Sequence, residues 1–161
     1  MKPIVIKDRS LDGYIFLMGC KYYRAAHYIP ESDRGAPYYT NLSFAIELFI
    51  KCFDVTTERH FKPEPPYPLI KWEQKIHART RGHSLLEMFK RLPEPLKTKI
   101  NIQYCDLYGL TFVDELGCIE NVFVEWRYVF EKQEATLSLT SLERAADFLK
   151  EFIEQHMLST T

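Results

Sequence analysis

The sequence has almost no net charge. Lys and Arg together number 21, Asp and Glu number 22, and the formal charge is −1. No global field therefore draws the chain to nucleic acid or to an anionic membrane. Long apolar runs are also missing. The longest uncharged apolar stretch, Gly13–Cys20, is too short to span a bilayer. The opening MKPIVIKDRS holds no signal-peptide h-region. The four cysteines, Cys20, Cys52, Cys105 and Cys118, form no C-x-x-C pair, which argues against a zinc ribbon. All four lie in or beside apolar segments, so they read as reduced, buried thiols of a cytoplasmic protein. There is no Gly-rich phosphate loop, and no HExxH, GxSxG or EF-hand pattern. His77 and His83 lack an acidic partner nearby in sequence and read as surface residues. The carboxylate pairs Asp114 with Glu115 and Glu143 with Asp147 lack the E-x-x-H companions of a di-metal bundle, and read as solvated. No metal and no cofactor is expected.

What is present is enough apolar material for one domain with a core. The chain has 161 residues, of which 46% are hydrophobic and 27% charged, a globular composition. The stretch Asn41–Phe53, NLSFAIELFIKCF, organises the rest. Leu42, Ala45, Ile46, Phe49, Ile50 and Phe53 recur at helical spacing on one stripe. Glu47 and Lys51 stand one turn apart and can pair. Thr40 is placed to cap the first turn. This is core scaffold with apolar partners on more than one side.

Around it the chain divides into helical and non-helical pieces. Met1–Ser10 has two readings, a short edge strand through Ile4–Ile6 or a disordered lead-in. Ser10 or Asp12 caps a helix over Gly13–Ile29, with Ile15, Met18, Tyr22, Ala25 and Ile29 on its inner face. Pro30 stops it. Four prolines stiffen Asp54–Pro68. Ile70, Trp72, Ile76 and Ala78 then alternate with charged residues, the period of a strand. Leu69, Trp72 and Ile76 also fit a helix, but the alternation favours a β-arm pairing Val55–Phe61 with Ile70–Ala78. A short helix spans Gly82–Leu92, with Leu85, Leu86, Phe89 and Leu92 inward and Ser84 and Glu87 in a capping box. A further turn or two covers Leu96–Tyr104. Thr111–Lys132 is a long helix with a seam at Phe112, Leu116, Ile119, Phe123, Trp126 and Phe130. A linker, Gln133–Leu139, follows. Thr140 and Glu143 have capping-box spacing ahead of the last helix, whose stripe is Leu142, Ala145, Ala146, Leu149, Phe152 and Ile153. The expected fold class is all-α: an up-and-down bundle of four main helices plus short ones, with a small β-hairpin insertion at about residues 54–80, forming one domain over 1–161.

Charge is unevenly distributed. Lys71–Arg91 carries six Lys or Arg against two Glu, and Asp114–Glu154 carries ten acids against four bases. Lys75, Arg79, Arg81 and His83, with Trp72 nearby, are the candidate nucleic-acid contacts, since cations beside an aromatic can hold phosphates and stack a base. The competing reading is a charged arm that answers the acidic C-terminal half.

Three segments in order, NLSFAIELFIKCF, RGHSLLEMFKRLP and FVEWRYVFEK, resemble the signature helices of small prokaryotic HEPN-domain proteins. The matching positions are Ala45, Glu47, Leu48 and Lys51; Gly82, His83, Leu85, Phe89, Leu92 and Pro93; and Trp126, Arg127 and Tyr128. The resemblance spans roughly 13–152, with residues 54–80 as an extra piece. It implies a helical bundle, often dimeric. Members include metal-independent RNases of toxin–antitoxin and phage-defence systems. Others are non-catalytic modules that work with a nucleotidyltransferase or bind nucleotides. The RNase members carry an Arg followed, after four to six residues, by a His. Arg127 matches the Arg, but Lys132, Gln133 and Glu134 occupy the His positions, and no other Arg in the chain supplies the spacing. Glu131, one turn on from Arg127, is placed to pair with it instead. The expectation is a non-catalytic binding or accessory module contacting RNA, a nucleotide or a protein partner of a defence locus, and forming a homodimer along the Phe112–Phe130 seam. Two alternatives stand: an RNase using a displaced pair, Arg127 with His83, and a structural homo-oligomer with no nucleic-acid role.

Overall fold

The computed structural model describes residues 4–64, 69–80, 82–120 and 139–158. Helices dominate. α1 (Gly13–His27) and α2 (Ala36–Cys52) form an antiparallel pair joined through a 3-10 turn at Glu31–Asp33. α3 (Leu85–Lys90), α4 (Glu94–Tyr108), α5 (Phe112–Ile119) and α6 (Leu139–Leu158) complete the helical part. α2 is the hub, packing against α1, α3 and α6. Its whole expected stripe is buried, from Leu42 through Phe53. The α6 stripe is buried as well. Between them lies an aromatic cluster, with Tyr104 and Phe112 ring centroids 5.0 Å apart and Phe89 to Phe112 5.2 Å. No described helix is long and apolar enough to cross a membrane.

The strands form one antiparallel sheet of order β1-β2-β3: β1 (Ile4–Ser10), β2 (Val55–Glu64) and β3 (Leu69–Ala78). The hairpin expected over residues 54–80 is present, and the opening strand reading holds over the full Ile4–Ser10. The fold is therefore mainly helical rather than all-α, because β1 adds a third strand. β2 pairs with both neighbours as far as Phe61, opposite Ile4. Pro63 pairs only toward β3, opposite Ile70, so its missing N–H falls outside the three-stranded ladder. Val55 and Thr57 are buried where the sheet joins the helices.

Several expectations need correction. α2 begins at Ala36, with Pro37 in its first turn, where a missing N–H costs nothing. Thr40 is thus inside the helix, and its carbonyl accepts from the Ser43 hydroxyl. Of the expected α1 face, Ile15, Tyr22 and Ile29 pack partly buried against the core and Ala25 is exposed, while the buried positions are Phe16, Gly19, Cys20 and Ala26. Asp12 is its cap, accepting from the Ile15 N–H at 2.8 Å. α4 runs a full 15 residues and ends at Gly109, whose φ of 71° suits a glycine after a helix. Cys105 and Cys118 are exposed, not buried. Thr140 lies within α6 and caps nothing in the described structure. α5 carries the first part of the predicted long helix, and the remainder of its seam lies outside the described residues.

Candidate functional site

Residues from two of the three segments meet at the C-terminal end of α2. Glu47 and Lys51 are one turn apart on that helix, so their heads can touch. The Lys51 ammonium donates to Glu47 Oε1 at 2.5 Å. Glu47 is only 5% exposed. Its second oxygen, Oε2, lies 3.3 Å from His83 Nδ1. A carboxylate this deep needs such partners, because leaving it charged and unmatched costs several kcal/mol.

The chain reaches this point through a local device. Gly82 has φ +99°, a conformation that a side chain would strain. The turn sets His83 against α2. Ser84 then accepts from the Glu87 N–H and caps α3, and Leu85 enters the core. Each position of the Gly-His-x-Leu segment thus has a physical task.

On the approach to Gly82, Arg79 is tied to the residue just past α2. Its N–H donates to the Asp54 carbonyl at 3.0 Å, and its Nε lies 4.0 Å from Asp54 Oδ2. Asp54 is buried, while the Arg79 side chain is about half exposed. Thr80 between them is buried, with no hydrogen-bond partner for its hydroxyl. Lys75 stands exposed on β3, and Trp72 belongs to the same strand, in register with Phe61. The structure therefore brings His83 and Arg79 to one end of α2. Arg81, Trp126, Arg127, Tyr128 and Glu131 lie outside the described residues, as does any pairing of Arg127 with His83.

Chemically, this is one buried carboxylate serving two nitrogen groups. It is balanced with His83 neutral and carries one positive charge with His83 protonated. Such an arrangement fixes cations in place. No group of His, Cys, Asp or Glu among the described residues is arranged to hold a metal ion.

A second polar system escaped the sequence reading. The acids of α5 and α6 expected to be solvated are engaged. The Tyr38 hydroxyl donates to Glu143 at 2.5 Å and the Tyr23 hydroxyl to Asp147 at 2.6 Å. Glu115, 2% exposed, accepts from Arg144 Nε and Nη2 at 3.0 and 2.8 Å. Asp114 accepts from the Thr111 hydroxyl at the start of α5. Burial raises the pKa of Tyr23 and Tyr38, and their hydrogen bonds to carboxylates raise it further. Tyr104 is raised by burial and then by the Glu115 charge. These partners are more than a hundred residues apart for Tyr23 and Tyr38. The only sequence signal was the abundance of tyrosine in the first helices.

Comparison with protein-family models, with curated proteins and with solved structures gives no match.

Proposed function

We propose that the chain is a HEPN-like helical bundle acting as a non-catalytic module that binds RNA through its phosphates, within a toxin–antitoxin or defence setting. The observation that carries this reading is the buried Glu47 carboxylate. It joins Glu47 and Lys51 of one quoted segment to His83 of another, and holds that imidazole beside the Arg79 approach. Cations fixed by buried acids, with the exposed Lys75 four residues before Arg79 on the adjoining strand, suit a phosphate chain, which is recognised by position and charge. The non-catalytic part rests on two points. Cleavage chemistry needs a general base working beside a fixed cation, yet His83 is engaged with a carboxylate. The Arg-to-His spacing of the nuclease members is also missing.

The test is fluorescence anisotropy with short single-stranded RNA across a salt series. Four cations, Lys75, Arg79, Arg81 and His83, should give a log–log salt slope of roughly −2 to −3. Combined Arg79→Glu and Arg81→Glu should abolish binding. Binding that survives this change, or ignores salt, places the contact elsewhere. The same RNA run on a gel tests catalysis: cleavage lost in both Arg127→Ala and His83→Ala would overturn the non-catalytic reading.

A further inference from the structure

We propose that β3 is a self-pairing edge: two copies of the chain join antiparallel along β3, with Gln74 at the twofold axis, to make one continuous six-stranded sheet. The inference does not rest on RNA binding, but it shares Lys75 with the proposed contact and would turn that side chain toward acids of the dimer. β3 is an edge strand of ten residues, and its register against β2 is unbroken, one residue to one, from Leu69 to Ala78. It contains no proline or bulge, two of the devices that blunt an edge, while its charges, Lys71, Glu73 and Lys75, are of both signs and so can meet opposites in a second copy. Among the described residues no helix packs broadly on the sheet. Gln74, Lys75 and His77 are exposed, and so is Ile76 at 41%. Among the described residues no strand pairs with the outer side of β3, so this edge presents a long row of backbone groups to a partner.

The occupant follows from the strand's own sequence. Two antiparallel copies centred on Gln74 place residue i opposite residue 148 − i, a sum fixed by the axis position. Glu73 then stands opposite the second copy's Lys75, twice. Trp72 stands opposite Ile76, and Ile70 opposite Ala78, again twice each. Opposite charges and apolar pairs facing across strands are the unit of sheet stabilisation. Moving the centre to a neighbouring residue loses this match: centred on Glu73, Glu73 would face its own copy and Lys71 would face Lys75; centred on Lys75, Lys75 would face its own copy and Lys71 would face Arg79. The charge pattern of β3 is therefore complementary to itself in one register. Lys75 already stands opposite Glu58 within the hairpin, so in the dimer it lies between two acids.

The test measures molecular mass by light scattering at micromolar concentration, without RNA. The wild-type chain is expected to be a dimer. Glu73→Lys leaves the Glu58 and Lys75 pair intact but sets the introduced lysine against Lys75 of the second copy, twice. It should weaken association by at least about tenfold, since two attractive pairs become repulsive. Adding Lys75→Glu restores the opposition and should restore the dimer. A second readout uses Gln74→Cys with Cys105 and Cys118 changed to Ser. Directly opposed residues in an antiparallel pair have Cα atoms about 4.5–5.5 Å apart, within disulfide range. Oxidised glutathione should therefore link the two copies. A monomeric wild-type mass, a dimer indifferent to Glu73→Lys, or a folded Gln74→Cys variant that forms no intermolecular disulfide overturns the proposal.

Discussion

Gly19 offers the sharpest test of how the helices meet. A Cβ added there would lie 2.7 and 2.8 Å from Phe49 Cε1 and Cδ1. Carbon atoms pack best at about 3.5–4.0 Å, so the ring or the helix must move by roughly 1 Å. The ring cannot move cheaply. Phe49 is fully buried, and its centroid lies 5.6 Å from that of Phe16. Two effects of Gly19→Ala therefore oppose each other. Alanine improves helix propensity by about 1 kcal/mol. Overpacking a fixed core costs about 1–3 kcal/mol. The expected net result is a loss of up to about 2 kcal/mol, seen as a lower midpoint in urea denaturation followed by circular dichroism. The second arm is Phe49→Ala, which should cost about 3–5 kcal/mol through lost burial and a cavity. In that background the ring is gone, and Gly19→Ala should become stabilising by about 1–2 kcal/mol, from propensity plus one buried methyl. The effect of one substitution thus changes sign with the other, a coupling of about 2–3 kcal/mol. If Gly19→Ala stabilises the wild-type chain, or the two changes simply add, α1 and α2 do not approach at Gly19 and the phase of α1 is wrong.

Three other outcomes are expected. Arg144→Met should cost about 2–3 kcal/mol, because it leaves the buried Glu115 unmatched, with the figure reduced for the partial exposure of the arginine. Adding Glu115→Gln should recover most of the loss in the same denaturation assay, and a double variant as weak as the single one would deny the pair its role. Raised phenol pKa values for Tyr23, Tyr38 and Tyr104 mean that the folded state favours their neutral form. That stability is fully present below the ordinary tyrosine value of about 10 and is lost as pH climbs above it. Melting temperatures should fall steeply beyond about pH 10 as tyrosinate absorbance rises, and less steeply in Tyr38→Phe; a flat profile would refute this. His83→Ala should cost less than about 1 kcal/mol, since the imidazole is 60% exposed and Glu47 keeps Lys51. A thermal melt showing a much larger loss would make His83 a structural strut and weaken its use as a probe of RNA binding.

The parts of the fold that sequence pattern revealed are those whose burial is spread over one wide stripe. α2 and α6 each bury six or more apolar residues at helical spacing, so their phase could hardly be mistaken. The α1 face was read only in part: Ile15, Tyr22 and Ile29 do pack against the core, but the buried positions include the small residues Gly19, Cys20 and Ala26. Close approach decides burial there, while larger residues such as Tyr14 and Leu17 are left exposed. α4 was read too short because Ile100 and Tyr104 alone are fully buried along its length. β1 had no local signature, since its pairing with β2 joins residues about fifty positions apart. The start of α2 was hidden by the attraction of Thr40 as a cap, although Pro37 is the better marker of a first turn.

For the candidate site the division is different, and it has one physical cause. A charged side chain reads as solvated unless its partner is near in sequence, and burial cannot be seen from the residue itself. Glu47 with Lys51 was legible because the partner lies one turn away. His83, and Arg144 with Glu115, depend on contacts between elements. The two buried acids are nevertheless built alike. Glu47 and Glu115 each sit almost fully enclosed, and each is matched by cations that retain some exposure: Lys51 and His83 for the first, Arg144 for the second. An enclosed acid with its cations at the rim fixes those cations without hiding them, and its energetic demand is met before any ligand arrives. The two differ in what surrounds the rim. Around Arg144 lie Tyr104 and Tyr108, which close over it. His83, by contrast, follows the Gly82 turn and keeps its imidazole 60% exposed beside Glu47. The same device therefore serves packing between α5 and α6, and at the end of α2 it fixes Lys51 and His83 at the rim of a buried acid.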